Sequence, residues 1–209
     1  YVSFGTLVRF PLSQVVEIGM ALEATRRPFI WVVKAGVQKA EVEEWLARGF
    51  GERTRERALI IQGWAPQVSI LSHPSVGGFL THCGWNSSLE AIAAGVPMIT
   101  WPGFSDQFLN ERFTVEALRI AVGVGVEEPL WPGNKMSDVV ITREEVEKAV
   151  ERLMDGGEEG EERRRRAREL GEMARTAMEA GGSSHTSLTH LIDEVMLLTQ
   201  KKMHISEIP

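Results

Sequence analysis

Short apolar runs alternate with segments of helical periodicity through the first 126 residues of the chain. The runs lack polar alternation, as FIWVV at 29–33 illustrates, and this is typical of strands buried on both faces. We predict strands at 1–4, 28–33, 58–64, 77–82, 97–101 and 120–126. The segments between them predict helices at 12–26, 40–50, 86–94 and 105–118. Such alternation indicates βαβ units, so the pattern predicts an α/β fold with a doubly wound parallel sheet.

The remaining two fifths of the chain begin with a turn-rich loop at 127–138. A capping box follows, in which Thr142 caps a helix and the Glu145 side chain bonds back to the backbone of Thr142. We expect that helix to end near Met154. The pattern therefore predicts that the sheet is followed by a helical region.

Acidic and basic side chains are placed four residues apart in the next predicted helix, 158–180. The expected ion pairs are Glu159–Arg163, Glu161–Arg165 and Glu162–Arg166. The arginine run at 163–166 could bind phosphate, but the preceding acids nearly neutralise it, so we interpret it as a solvated helix face. A last helix begins within 181–198, as a helical C-terminal tail. No change of composition divides the chain, so we predict one domain over 1–209.

Charge and cysteine content exclude several classes of protein. The 209 residues carry a formal net charge of −6, which disfavours a nucleic-acid partner because phosphate binding needs a basic surface. No apolar run reaches the roughly 18–20 residues that cross a bilayer, so we expect no stable membrane insertion. The single cysteine, Cys83, allows no internal disulfide and favours a reducing, cytoplasmic location. The chain opens at Tyr1 inside a β-prone segment, so we expect it to be part of a longer protein.

Polar residues are concentrated in four loops that follow predicted strands, at 3–6, 63–67, 82–88 and 103–107. In an open parallel sheet, ligands bind at the carboxyl ends of the strands, where such loops enter helices. We therefore expect these four loops to form a site.

The loop at 82–88 has the composition of an anion-binding site. It precedes a predicted helix, whose free N–H groups and dipole favour negative charge. Gly84 permits close approach of the backbone, and Asn86 and Ser87 add donors. His82 can donate a hydrogen bond, or carry charge when protonated. The pattern predicts that this loop binds a diphosphate.

Glu90 lies four residues after Asn86 on the same helix face. A carboxylate there would repel phosphate, so we expect it to bind vicinal hydroxyls, such as those of a ribose. Glu90 is therefore expected to bind a different part of the ligand from the diphosphate.

Each of these residues also has an ordinary structural interpretation. Asn86 and Ser87 could be ordinary helix caps, and His82 could be a hydrogen-bonded histidine at the end of a strand. Trp64 and Trp85 could be core aromatics, and Asp106–Gln107 could be the first turn of a helix. Each alternative is reasonable alone. Together they require four polar loops to gather at one sheet edge by accident.

The 44 residues from Trp64 to Gln107 resemble, without a gap, the signature box of the plant UDP-dependent glycosyltransferases. These are the family 1 enzymes that glycosylate secondary metabolites. The flanks YVSFGT at 1–6 and NERF at 110–113 are similar as well. The resemblance implies a GT-B fold, in which two Rossmann-like domains enclose a cleft. This chain would be the C-terminal, donor-binding domain, and its partner would be the N-terminal acceptor domain.

The resemblance also implies how the uridine of a UDP-sugar is held. Trp64 would stack on the uracil ring, and the backbone of Ala65 would pair with the edge of that ring. Gln67 would contact the ribose region, and Glu90 would bind the ribose hydroxyls.

The same resemblance assigns the diphosphate and the sugar. Diphosphate contacts would come from Thr6, His82, Asn86 and Ser87, with Gly84 admitting the ligand to the backbone. Sugar hydroxyls would bind Trp85, Asp106 and Gln107. No metal or other cofactor is expected, because the helix terminus and His82 would neutralise the diphosphate.

The catalytic base of the family is a histidine near the start of the N-terminal domain, oriented by an aspartate. None of the remaining histidines matches it: His73, His185, His190 and His204. We therefore expect this chain to bind the donor without turning it over alone.

The predicted function is inverting transfer of glucose from UDP-glucose to a phenolic, flavonoid or terpenoid acceptor. In the family, a final glutamine such as Gln107 tends to accompany glucose. No arginine in 82–88 or 103–107 could pair with the carboxylate of glucuronate. The alternatives are a non-catalytic nucleotide-sugar binding module and a dinucleotide oxidoreductase. The latter is disfavoured because SFGTLV at 3–8 lacks the G-x-G-x-x-G pattern.

Overall fold

The fold is built on six short parallel strands. The computed structural model describes residues 1–34, 39–129 and 141–206. The strands are β1 Val2–Ser3, β2 Phe29–Val33, β3 Ala58–Gln62, β4 Phe79–Thr81, β5 Met98–Thr100 and β6 Ala121–Gly123. All six predicted strands are confirmed, and each is shorter than predicted because ladder pairing stops where the chain turns into the loops.

The spatial order of the strands is β3-β2-β1-β4-β5-β6, and every neighbouring pair is parallel. In the register of the sheet, Val2 on β1 is level with Trp31 on β2 and with Leu80 on β4. Strands β2 and β3 lie on one side of β1, and β4, β5 and β6 lie on its other side. A crevice opens at the carboxyl ends of the strands where the order reverses in this way.

Helices connect the strands and cover both faces of the sheet. Their bounds are α1 Leu12–Ala24, α2 Lys39–Trp45, α3 Gly51–Thr54, α4 Gln67–Leu71, α5 Trp85–Ala94, α6 Gln107–Arg112, α7 Arg143–Met154, α8 Glu158–Met178 and α9 Ser183–Ser206. The helix predicted at 40–50 is interrupted, because Arg48 and Gly49 have non-helical backbone angles. Helix α6 continues as a wider helical turn, Phe113–Ala117. Helix α4 was not predicted, since five residues are too few for a periodic pattern.

The core divides between the two faces of the sheet. Leu80 and Ile99 lie in a buried cluster with side chains of α1 and α7. Their strand neighbours Phe79 and Met98 lie in a second cluster, with side chains of α5 and α8. Successive residues of a strand point to opposite faces, so both kinds of position are apolar when helices cover both faces. This explains the absence of polar alternation and confirms the doubly wound arrangement.

The capping box predicted for the helix after the sheet is confirmed. The Thr142 N–H donates to Glu145 Oε2 at 2.7 Å, and the Glu145 N–H donates to Thr142 Oγ1 at 3.4 Å. Helix α7 therefore begins at Arg143 and ends at Met154, as expected. Of the predicted loop at 127–138, residues 130–138 lie outside the described residues.

Two of the three ion pairs predicted for α8 are confirmed and one is wrong. The observed pairs are Glu159–Arg163 at 2.6 Å, Glu162–Arg166 at 2.7 Å and Glu161–Arg164 at 2.8 Å. Glu161 therefore pairs three residues ahead, and Arg165 pairs with Glu162 and Glu169.

The interpretation of the arginine run as a solvated face is wrong for its first two members. Arg163 is buried and donates to the Arg152 carbonyl at 3.1 Å. Arg164 donates to the Asp155 carbonyl at 2.6 Å. Both guanidinium groups therefore bind carbonyl oxygens at the carboxyl end of α7, which favour a nearby cation.

Helix α9 packs on α8 and leaves one apolar face exposed. The side chains on that face include Leu188, Leu191, Ile192 and Val195, each at least half exposed. Among the residues that the structure describes, no helix has both the length and the apolar character needed to cross a membrane.

Candidate functional site

A cavity of about 440 Å³ opens at the carboxyl ends of β1, β2, β3 and β4, beside the point where the strand order reverses. Ten of the twelve predicted site residues line it: Thr6, Trp64, Ala65, Gln67, His82, Gly84, Trp85, Asn86, Ser87 and Glu90. The remaining two, Asp106 and Gln107, lie after β5 and outside its wall. Three of the four predicted loops therefore meet in one cavity.

A larger cavity, of about 760 Å³, lies at the opposite edge of the sheet, where the strands begin. Its wall is mostly apolar and includes Leu22, Phe29, Leu80 and Leu153. Its wall also contains charged side chains, but α1 and α7 end there rather than begin, so the smaller cavity, where α5 begins, is the better candidate for an anion site.

The amino end of α5 forms one wall of the smaller cavity. Gly84 occupies the position before the first helical residue, and no side chain of the described residues caps the helix there. The alternative in which Asn86 and Ser87 cap the helix is therefore wrong. The first N–H groups of α5 have no partner from a capping side chain and can bind an anion.

The His82 ring is held in a narrow space between two glycines. A Cβ atom added to Gly5 or to Gly84 would lie 2.5 Å from a ring atom, and Gly5 has a φ of +68° that favours glycine. The buried Nδ1 of His82 has no hydrogen-bond partner among the described residues. The alternative of a satisfied strand-end histidine is therefore wrong, because buried polar atoms in proteins are normally paired.

Burial lowers the pKa of His82 to about 4, with a smaller opposing effect from Asp106 and a smaller lowering effect from Lys34. The ring is therefore neutral at pH 7 in the free protein, and it acts as a hydrogen-bonding group. The expectation that His82 carries charge can apply only when an anion raises its pKa.

Gln67 connects two predicted ligand-binding side chains of α5. Its Nε2 donates to Ser87 Oγ at 3.0 Å and to Glu90 Oε2 at 2.8 Å. Its Oε1 accepts from the Tyr1 hydroxyl at 3.3 Å. The network orients the Glu90 carboxylate and leaves its Oε1 without a partner among the described residues.

Two indole rings are exposed beside the cavity. Trp64 is 79% exposed and Trp85 is 44% exposed, so neither is a core aromatic as the alternative interpretation had it. Trp85 is in tilted contact with Phe113, with ring centroids 6.4 Å apart. Large exposed aromatic rings at the mouth of a polar cavity are suited to stacking on a planar ligand.

The fourth loop differs in structure from its prediction. Gln107 is 5% exposed, and its Oε1 accepts from the backbone N–H groups of Gly103 at 2.7 Å and Phe104 at 3.1 Å. This oxygen is therefore committed to the loop, and only the amide N–H group is left for a ligand. Asp106 precedes the first residue of α6, as the helix-turn alternative proposed, but its carboxylate is exposed and does not cap the helix.

Lys34 is a site residue that sequence reasoning missed. It follows β2 directly and lines the cavity, where burial and Arg9 lower the pKa of its ammonium group. The sequence signal was a lone charge at the carboxyl end of an apolar strand, but only the position of β2 beside β1 brings it to the site. The cavity therefore has a cation that the loop composition did not indicate.

The donor atoms of the site are suited to an anion and to hydroxyl groups. Within the described ranges, no group of three His, Cys, Asp or Glu side chains is arranged to hold a metal ion. The absence of a metal from the reaction stays a prediction.

Comparison with known proteins identifies a matching family profile and similar proteins. A family profile described as "UDP-glucoronosyl and UDP-glucosyl transferase" matches residues 1–158. UDP-glycosyltransferase 73C2 of Arabidopsis thaliana is 52% identical over 204 residues, which is 97% of this chain and 41% of that protein.

Two solved structures are similar over nearly the whole chain. Glycyrrhiza uralensis UGT73P12, complexed with glycyrrhetinic acid 3-O-monoglucuronide, is 41% identical with a TM-score of 0.88, covering 99% of this chain and 42% of that one. Phytolacca americana UGT2, complexed with UDP-2fluoro-glucose and pterostilbene, is 35% identical with a TM-score of 0.77, covering 92% of this chain and 40% of that one.

This chain thus spans about two fifths of the length of these relatives. The profile covers about three quarters of the chain and includes every residue of the predicted site. The chain therefore belongs to the plant family 1 UDP-dependent glycosyltransferases, and its sheet is a Rossmann-like domain of their GT-B fold.

Proposed function

We propose that this chain, over 1–209, is the donor-binding half of an inverting glycosyltransferase that transfers glucose from UDP-glucose to a small plant metabolite. The observation that carries the proposal is the cavity of about 440 Å³, in which a helix N-terminus, a histidine with no partner among the described residues and an oriented carboxylate converge. Each of these groups suits a different part of a nucleoside diphosphate sugar.

The diphosphate would bind at the amino end of α5. Its negative charge would be balanced by the helix dipole, by Lys34 and by hydrogen bonds from His82 and Thr6. Hydrogen bonds to a charged group typically contribute about 1.5–3 kcal/mol each. These residues can stabilise the diphosphate without a metal, so none is part of the proposal.

The uridine would extend from the diphosphate toward β3. The exposed Trp64 ring would stack on uracil, and the Ala65 backbone would pair with the edge of uracil. Glu90, which Gln67 orients, would accept protons from the ribose hydroxyls. The carboxylate is placed away from the diphosphate by one turn of α5, which limits repulsion.

The sugar would lie on the other side of the diphosphate, near the loop after β5. Asp106 would accept from hydroxyl groups, the Gln107 amide N–H would donate to one, and Trp85 would provide an apolar wall. Lys34 follows β2, three strand positions from β5, so its ammonium group would lie near the nucleotide rather than near the sugar. We therefore propose glucose in preference to glucuronate.

The reaction would be a single displacement. An acceptor hydroxyl, deprotonated by a base in the other half of the enzyme, would attack the anomeric carbon. The bond from that carbon to the UDP oxygen would break, UDP would leave, and the configuration would invert. This chain supplies no catalytic base in the proposal. It contributes by stabilising the charge that develops on the leaving diphosphate.

The relatives support the donor and the acceptor class. The Phytolacca americana structure holds UDP-2fluoro-glucose and pterostilbene, a sugar nucleotide and a small molecule. The N-terminal acceptor domain is the proposed partner, and the exposed apolar face of α9 is consistent with contact to further protein. The single buried cysteine favours a cytoplasmic compartment, which we include in the proposal.

The decisive experiment uses the full-length protein with UDP-glucose, UDP-galactose and UDP-glucuronate at equal concentrations. One phenolic acceptor is supplied, and products are measured by mass spectrometry. We expect the highest kcat/KM with UDP-glucose, because sites built for a given hydroxyl discriminate against other arrangements. Faster transfer of galactose or glucuronate would contradict the sugar assignment alone.

Two further results would change the class of function. UDP binding without turnover by any acceptor would favour the non-catalytic nucleotide-sugar binding module. Calorimetric binding of NAD but not UDP would favour a dinucleotide oxidoreductase instead.

A further inference from the structure

Two loops of the proposed donor site are joined by one buried side chain. Asn110, on α6, is 9% exposed. Its Nδ2 donates to the Cys83 carbonyl at 2.9 Å and to Asp106 Oδ2 at 2.8 Å. The first acceptor lies in the loop after β4 and the second in the loop after β5, so one amide group spans both loops.

The bond to Cys83 affects the start of α5. Cys83 is a non-glycine residue with a φ of 63°, an uncommon left-handed conformation that its surroundings must hold in place. The peptide unit between Cys83 and Gly84 is planar and trans, so holding the carbonyl also fixes the direction of the Gly84 N–H. Asn110 therefore orients the backbone that leads into the anion-binding end of α5.

The bond to Asp106 restrains an exposed carboxylate. Without a partner, such a side chain would exchange between rotamers, and ligand binding would have to oppose that entropy. Asn110 occupies Oδ2 of Asp106, which leaves Oδ1 for a sugar hydroxyl. The amide thus sets both the position and the free acceptor of this carboxylate.

We propose that Asn110 is a positioning residue that fixes the sugar-binding carboxylate of Asp106 relative to the diphosphate-binding loop at Cys83. This inference rests on the proposed function, because it assumes that Asp106 contacts the sugar. Its consequence is that Asn110 acts on the sugar of the donor more than on its nucleotide. The anomeric carbon would then be held at a fixed position relative to the leaving diphosphate.

The test measures UDP and UDP-glucose affinity by calorimetry, and kcat and KM, in the full-length protein. Asn110→Ala removes both N–H donors. Asn110→Asp removes them with nearly the same shape and adds repulsion against Asp106. We expect UDP-glucose affinity to fall about tenfold with Asn110→Ala and further with Asn110→Asp. UDP affinity should fall less, by about threefold, because only the Gly84 N–H of the proposed diphosphate site is affected, and kcat should fall in both variants.

Two control variants on the same stretch separate positioning from folding. Arg112→Ala removes an exposed side chain that pairs with Glu116 and should change nothing. Thr114→Val removes a buried hydroxyl that donates to the Asn110 carbonyl at 2.9 Å, but leaves both bonds of the Asn110 amide in place. It should lower the Tm without changing the ratio of UDP-glucose to UDP affinity.

A double-mutant cycle tests whether Asn110 acts through Asp106. In an Asp106→Ala background, Asn110→Ala should have little further effect on the affinity ratio, because the carboxylate it positions is absent. Additive effects would overturn the proposal, as would equal losses of UDP and UDP-glucose affinity. If the unmodified protein binds no UDP, the proposed function fails and this inference fails with it. If it binds UDP-glucose and Asn110→Ala leaves the ratio unchanged, this inference fails alone.

Discussion

Helix α8 and the cavity at the carboxyl edge of the sheet are both rich in polar residues, but they use them differently. In α8, Arg165 pairs with Glu162 and Glu169, and Arg175 pairs with Glu172. These pairs are exposed, and such pairs contribute little to stability. In the cavity, by contrast, His82 Nδ1 is buried without a partner, and Lys34 has no ion pair with any described residue.

The difference shows that charge density alone does not identify a binding site in this protein. Four consecutive arginines on α8 are balanced by acids of the same helix or bind carbonyl groups of α7. The cavity holds fewer charges, and Gln67 is bonded to Ser87 and Glu90 within it. However, His82 Nδ1 and the Lys34 ammonium group have no partner among the described residues and lie beside the same space. Polar groups that have no hydrogen-bond partner within the protein are available to bind a ligand. The predictions below test this contrast.

The largest effect is expected from Gly84→Ala. The added Cβ would lie 2.5 Å from the His82 ring, at the helix N-terminus where the diphosphate is proposed to bind. We expect UDP affinity, measured by calorimetry, to fall about 100-fold, because both the ring and the backbone N–H groups would be displaced.

The matched control is Gly156→Ala, since nothing lies within 4 Å of a Cβ added there. It should leave UDP affinity unchanged. Unaltered UDP binding by Gly84→Ala would show that the narrow space around His82 is not needed for the ligand.

Glu90→Ala is expected to have the next largest effect. Loss of hydrogen bonds from ribose hydroxyls to a carboxylate should decrease UDP binding free energy by about 1.5–3 kcal/mol, with the fold preserved. Glu172→Ala on α8 removes an equally charged, exposed residue that pairs with Arg175 and should have no effect on binding. Equal behaviour of the two variants would mean that Glu90 is an ordinary helix-surface acid.

His82→Ala should weaken binding of the diphosphate more than binding of the uridine. Because the proposed partner of His82 is phosphate, UDP affinity should fall about tenfold more than uridine affinity, as measured by calorimetry. Equal losses for UDP and uridine would instead indicate a structural role for the ring.

The last expected effect is on the pH dependence of stability rather than on binding. The pKa of His82 is about 4 in the folded protein, below its ordinary value of 6.5, so the unfolded chain takes up a proton first as the pH falls. The free energy of unfolding should therefore decrease between about pH 6.5 and pH 4, and this contribution should be fully present above pH 7.

Urea unfolding of the full-length protein at pH 7 and pH 5 measures this effect. The decrease should be smaller in His82→Ala by on the order of 1–2 kcal/mol. The same pH dependence in both proteins would show that His82 is not buried as a neutral ring.

Local sequence patterns determined the sheet and most of the site. The apolar runs without alternation predicted all six strands, and their positions put the polar loops at one edge. Gly84 before a helical segment predicted an anion site at the start of α5. These features depend on neighbours within a few residues, so a single sequence was sufficient for them.

Tertiary structure decided the remaining features, because they depend on residues far apart in the chain. Lys34 enters the cavity because β2 lies beside β1. The neutral state of His82 follows from its burial between Gly5 and Gly84.

The loop after β5, which is proposed to bind the sugar, shows the same limit of prediction from sequence. From sequence, Gln107 was expected to offer both an acceptor and a donor, but the folded loop uses its oxygen to bind the Gly103 and Phe104 N–H groups. The bridge from Asn110 to Cys83 joins residues 27 positions apart. Composition shows which groups can form hydrogen bonds, but only packing decides which bonds form within the protein and which groups are left for a ligand.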